Sequence, residues 1–214
     1  MPANLYLIRH GETKSNVDLR YQGSGDSLLT ENGIEAAREL SEHFKDLNFK
    51  GIYCSDLTRG LETAKIIAQH HPVSPTVIPK LQERHYGDWE GLNFKEIEKK
   101  YPGLYDSWLK NPAKAKIPKA ETLEAMQKRG IAALKSILKK HTNNSDNILI
   151  VGHGGMNRII LFYFLGLDLN CFWRIRQSNC CVNIIEFGKK RNVVALMNST
   201  GYVNKAMVRK IPIY

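Results

Sequence analysis

The sequence predicts an α/β protein with three layers, helices covering both faces of a mainly parallel central sheet. Three observations carry that prediction. Residues 5–8 and 148–151 are apolar runs without alternation, as strands buried on both faces require. Helical periodicity and strand patterns alternate along almost the whole chain. Both apolar runs end in histidine beside glycine, Arg9-His10-Gly11 and Gly152-His153-Gly154-Gly155. The carboxyl ends of strands are where open α/β sheets bind ligands.

The first strand is expected over 5–8, with Gly11 permitting a sharp turn after it. Residues 14–29 are polar and contain glycine, and read as a loop. Thr30 is placed to cap a helix whose inner face is Ile34, Ala37, Leu40 and Phe44. A short strand follows at 51–54. Ser55 or Asp56 is expected to cap the next helix, striped by Leu57, Leu61, Ala64 and Ile67 or Ala68. A brief strand lies at 76–78. Asn93 with Glu96 forms a capping-box pattern for a short helix before Pro102, and 103–109 suits another. Thr122 begins a long helix with Leu123, Met126, Ile131, Leu134 and Leu138 inward. After the strand at 148–151, residues 155–165 are apolar on several sides and predict a well-buried helix. Residues 182–187 and 192–197 read as closing strands. The 214 residues suit one domain over 1–214, with 80–119 as an inserted loop and helical lid over the site.

Composition narrows the function. An apolar content of 43% and a charged content of 24% belong to a soluble globular protein, and no apolar run is long enough to span a bilayer. Met1-Pro2-Ala3-Asn4 leads directly into the first strand, so no signal peptide and a cytoplasmic location are expected. Cys54, Cys171, Cys180 and Cys181 form no Cys-x-x-Cys pattern. Reduced, mostly buried thiols are expected, with no zinc site or disulfide framework. The net charge of +10 comes from dispersed lysines with no interleaved aromatics. It favours a small anionic partner over nucleic acid or membrane. A homodimer is compatible with the sequence.

The chemistry lies in four stretches. Arg9-His10 offers a guanidinium fork for an oxyanion beside an imidazole able to attack it. Arg59 falls in the first turn of its helix, where free N–H groups and the dipole favour an anion. Glu83-Arg84-His85-Tyr86-Gly87-Asp88-Trp89-Glu90-Gly91 packs carboxylates and aromatics into a glycine-bracketed loop. His153 supplies a second imidazole. His43, His70, His71 and His141 are expected at the surface, while His85 could line the pocket.

Taken in order, Arg-His-Gly-Glu, Ser-Asp-Leu-x-Arg-x-x-x-Thr-Ala, the Glu83 loop and Gly-His-Gly resemble the histidine phosphatase superfamily, which includes cofactor-dependent phosphoglycerate mutases. The resemblance runs from Leu5 to about Gly201. It implies the phosphoglycerate mutase-like fold and a phosphohistidine mechanism needing no metal or cofactor. His10 is then the nucleophile, and Glu83 the proton donor and later base. Arg9, Arg59 and His153 clamp the phosphoryl oxygens, and Asn16, Gln22, Gly23 and Gly154 complete the substrate-binding set.

The Glu83 loop resembles the mutase version, whereas Asp88-Trp89-Glu90-Gly91 resembles the phosphatase branch. Mutases carry paired arginines after this loop, but residues 101–119 offer only lysines. The expectation is therefore a phosphatase acting on a small phosphomonoester of the phosphoserine, phosphoglycerate or α-ribazole phosphate type. The alternatives are a cofactor-dependent phosphoglycerate mutase and, in another class, a non-catalytic phosphoanion-binding module.

Overall fold

A computed structural model describes residues 1–204. One six-stranded sheet has the order β3-β2-β4-β1-β5-β6. Its strands are β1 (Asn4–Arg9), β2 (Phe49–Cys54), β3 (Thr76–Val77), β4 (Asn147–Gly152), β5 (Val182–Phe187) and β6 (Asn192–Ser199). The first four are parallel, and β5 and β6 close one edge antiparallel. The mainly parallel sheet follows from the helical crossovers between these strands.

Alternate residues of the central strands face opposite cores. Leu5 and Leu7 of β1, with Ile148 and Ile150 of β4, pack beneath α6 (Leu123–Lys140) and α7 (Gly154–Leu165). Ile8, Leu149 and Val151 pack beneath α2 (Glu31–Phe44) and α3 (Thr58–Ile67). This is the expected α/β/α layering. Thr30 and Thr122 cap α2 and α6, each hydroxyl accepting a first-turn N–H at 3.1 Å, which contributes about 1 kcal/mol apiece.

Several local expectations need correction. The segment 14–29 contains a four-residue helix, α1 (Lys14–Val17), because Thr13 and Asn16 form a reciprocal capping box. Neither Ser55 nor Asp56 caps α3. The N-cap is Leu57, and distant Asp26 satisfies the Thr58 N–H at 3.2 Å. Gly11 has no left-handed φ. It is required because a Cβ there would stand 2.5 Å from the Gly33 carbonyl oxygen, where the start of α2 crosses it. His141 is buried, not exposed, with Nε2 2.8 Å from the Tyr53 hydroxyl. Ile131 is only partly buried. Gly130 and Ala133 face the core on that part of α6.

Residues 80–119 hold α4 (Phe94–Lys100) and α5 (Leu104–Lys110) between short turns. Trp89 and Trp108, both fully buried, root this segment in the α6/α7 core. Its capping box, Asn93 with Glu96, forms as expected. Cys54, Cys180 and Cys181 are buried free thiols. Among the described residues no helix is long and apolar enough to cross a membrane.

Candidate active site

Strand register assembles the site. In the parallel β1/β4 pair, Arg9 lies opposite Gly152, the last residue of each strand. His10 and His153 come next in each chain segment, so two imidazoles 143 positions apart stand side by side. Their ring centroids are 5.2 Å apart. On the far side of β4, Cys54 of β2 pairs with Val151, which brings Ser55 and the start of α3 to the same edge. Arg59 thus arrives within the first turn of α3.

A cavity of about 200 Å³ opens at this edge. Arg9, His10, Asn16, Gln22, Gly23, Arg59, Glu83 and Gly154 all line it. His153 stands just behind, fully buried against His10. His85 is exposed and does not line it, and its Nδ1 accepts the Gly87 N–H at 3.0 Å.

The hydrogen bonds leave unoccupied donors and lone pairs in telling places. His10 Nδ1 is 2.7 Å from the Gly11 carbonyl, which can only accept. Nδ1 therefore carries the proton, and in the neutral ring the lone pair lies on Nε2. His153 Nε2 is 2.7 Å from the Ser55 hydroxyl, while its Nδ1 has no partner. Arg59 donates its terminal nitrogens to the Gly25 and Gly23 carbonyls at 2.8 and 2.6 Å. Arg9 donates to the Gln177 carbonyl at 2.7 Å. The Nε of each arginine is buried without a partner. Buried polar atoms without protein partners, gathered on residues around one cavity, mark a place arranged for a polar ligand and not for packing alone.

Burial first, then the Arg59 and Arg9 charges, hold the His10 pKa well below the usual imidazole value. His153 is depressed likewise, by burial, then by Arg59, His10 and Arg9. Burial also lowers Arg59, to about 10, which leaves it charged at neutral pH. The native state thus refuses two protons that the unfolded chain accepts below about pH 6.5. Stability should therefore be full above that pH and fall below it, by up to ~1.4 kcal/mol per pH unit for each histidine. Urea midpoints between pH 7 and 5 measure this, and the dependence should be shallower in His10→Asn. A midpoint that does not move would contradict two buried neutral imidazoles.

Opposite the histidines, Glu83 accepts the Gly155 N–H at 2.8 Å and the Arg84 N–H at 2.9 Å through separate oxygens. A Cβ at position 155 would collide with Glu83 Oε1, so a larger residue there would displace the carboxylate from this place. Among the described residues no group of three or more His, Cys, Asp or Glu could hold a metal ion.

A family model described as the histidine phosphatase superfamily (branch 1) matches residues 5–200. The chain belongs to the histidine phosphatase superfamily. Two similar relatives are an adenosylcobalamin/alpha-ribazole phosphatase of Escherichia coli and phosphoserine phosphatase 1 of Hydrogenobacter thermophilus. The first is 29% identical, over 91% of this chain and 95% of its own. The second is also 29% identical, over 95% and 96%. The solved structure of Bacillus stearothermophilus YhfR superposes with a TM-score of 0.89 at 32% identity, covering 95% of this chain and all of that one.

Within this histidine phosphatase fold, several contributors carry no local sequence signal. Asn179 donates to the carbonyls of His10 and Gly11, each at 3.1 Å, and to Asn16 Oδ1 at 3.0 Å, which ties the nucleophile loop to α1. Thr63 accepts the Gly11 N–H at 3.0 Å. Ser55, expected to cap α3, instead orients His153. Arg129 of α6 donates to the carbonyls of Lys80, Gln82 and Glu83 at 2.9, 2.8 and 2.9 Å. It also grips the Glu121 carboxylate at 2.6 and 2.7 Å.

Proposed function

We propose that this protein is a phosphomonoesterase that hydrolyses a small phosphorylated metabolite through a phosphohistidine. The observation that carries the reading is the His10 tautomer. Its Nδ1 is committed to Gly11, which leaves the Nε2 lone pair free in a cavity that Arg9 and Arg59 also line. The reaction divides into two displacements. Nε2 of His10 attacks phosphorus; the N–P bond forms as the P–O ester bond breaks, and the Glu83 carboxylic acid gives its proton to the departing oxygen. The Glu83 carboxylate then takes a proton from water, whose oxygen attacks phosphorus and breaks the N–P bond. Inorganic phosphate leaves, and His10 and protonated Glu83 are restored.

Charge spread over the three equatorial oxygens is met by Arg9 and Arg59, assisted by Asn16, while His153 backs the His10 ring. Gln22, Gly23 and Gly154 shape the surrounding wall, and the 80–119 segment contributes Glu83, Tyr86, Phe94 and Tyr105 to the lining. None of the lysines between 101 and 119 lines the cavity, which favours hydrolysis over a mutase that must hold a second charged end from that segment. The alpha-ribazole and phosphoserine phosphatases among its relatives support the same class. A panel of phosphomonoesters with rapid acid quench tests the reading. Phosphate release through an acid-labile, base-stable phosphoprotein is expected. Tight phosphate binding without release would instead assign a non-catalytic anion-binding role.

Arg129 is a positioning residue in this scheme, because three carbonyls within residues 80–83, at and just before Glu83, converge on it. Arg129→Leu should lower kcat on alkyl phosphates by about 10²-fold, the cost of a misplaced catalytic group. Release of the first equivalent of nitrophenol from para-nitrophenyl phosphate, whose leaving group needs no proton, should slow far less. Equal losses on both substrates would mean a general structural role.

A further inference from the structure

Among the described residues four arginines line the cavity, and three are accounted for. Arg9 and Arg59 belong to the His10 cluster. Arg20 is neutralised by Glu96 at 2.7 Å and bound to the Gly91 carbonyl at 2.6 Å. Arg158, in the second turn of α7, differs from these. Its Nε donates to the Ile175 carbonyl at 2.7 Å. Its guanidinium lies 5.1 and 5.0 Å from the ring centroids of Phe172 and Trp173. These contacts fix the plane of the fork without neutralising it. Among the described residues no carboxylate pairs with Arg158, and Nε makes its one hydrogen bond to protein. The single acid lining the cavity, Glu83, already has a backbone N–H on each oxygen.

Gly154 shows where the fork lies. A Cβ on Gly154 would stand 3.5 Å from Arg9 Nε and 3.7 Å from Arg158 Nη1. Arg158 therefore adjoins the phosphate end of the cavity and not its outer mouth. Glu83 acts on Arg158 only at a distance and without an ion pair, so the fork keeps its capacity for a further anion that arrives with the substrate. The cavity is also smaller than the ~300–1,000 Å³ of pockets that enclose drug-sized ligands.

We propose that Arg158 receives a second anionic group of the substrate, a carboxylate only a few bonds from the ester oxygen. The substrate is then a short phosphorylated hydroxy acid or amino acid, not a neutral alkyl or sugar phosphate. This rests on the phosphomonoesterase reading above and narrows it. A bidentate guanidinium–carboxylate contact supplies the selection.

Two phosphonates that cannot be hydrolysed test the assignment by calorimetry: 3-phosphonopropionate, with the carboxylate, and propylphosphonate, without it. The wild-type protein should bind the first about 10- to 100-fold more tightly. In Arg158→Gln that preference should collapse to about threefold or less. Arg158→Lys, which keeps the charge but not the fork, should fall between, and it carries the test if the glutamine variant does not fold. Equal binding of the two phosphonates by wild type, or a preference that survives in Arg158→Gln, overturns the assignment while leaving phosphatase activity intact. If neither phosphonate binds and no phosphomonoester is cleaved, the phosphatase reading itself fails, and this proposal with it.

Discussion

Replacing His10 by alanine should lower turnover of every phosphomonoester by about 10⁴-fold or more, because no other group can accept the phosphoryl unit. His153 is adjacent, but its Nε2 is held by Ser55 and its ring is buried behind His10. The acid-labile phosphoprotein should vanish with the activity. Binding of inorganic phosphate should largely survive, since Arg9 and Arg59 are held by the Gln177, Gly25 and Gly23 carbonyls independently of His10. Rapid-quench labelling and phosphate calorimetry on the same preparation separate the two effects. A labelled phosphoprotein persisting in His10→Ala would assign the nucleophile elsewhere.

Glu83→Gln should cost about 10²–10⁴-fold on alkyl phosphates, the usual yield of a positioned general acid. The amide offers only one oxygen, so it cannot serve both the Gly155 and Arg84 N–H groups that now hold the carboxylate. The sharper signature is kinetic. With para-nitrophenyl phosphate the first displacement needs no acid, whereas the second still needs a base to activate water. A burst of nitrophenol equal to the enzyme present should precede slow steady turnover, and phosphoenzyme should accumulate. Loss in equal proportion across all leaving groups, with no burst, would remove Glu83 from both proton transfers.

These outcomes draw on residues that differ in how openly the sequence displays them. Arg9-His10 and Gly152-His153 were legible because each ends an unbroken apolar run. An apolar run without alternation means burial on both faces, and burial fixes where its polar terminus must emerge. Arg59 was legible from its place in the first turn of a helix. Glu83 stood out only within its loop composition and through resemblance to the family. The four-residue helix after Thr13 carries little sequence signal, because a single capping box between short polar residues is weak evidence in a polar, glycine-containing stretch. Ser55 was read locally as a cap, whereas tertiary contact gave it to His153. The same holds for His141, which reads as a surface residue at the end of α6 but is buried against Tyr53.

Arg129 and Arg158 show the limit most clearly. Each reads in isolation as a cation on a helix, and no local pattern distinguishes it from solvated neighbours. One gathers three carbonyls of the Glu83 loop; the other is fixed against Phe172 and Trp173 at the wall of the cavity. By itself the sequence determined the α/β layering, the strand ends and the types of residue that chemistry would require, because hydrophobic period and turn propensity act over a few residues. The tertiary structure alone decided which ends meet, through the Arg9–Gly152 and Cys54–Val151 registers. It also decided which charges are left without partners, since pairing depends on groups brought together from distant parts of the chain.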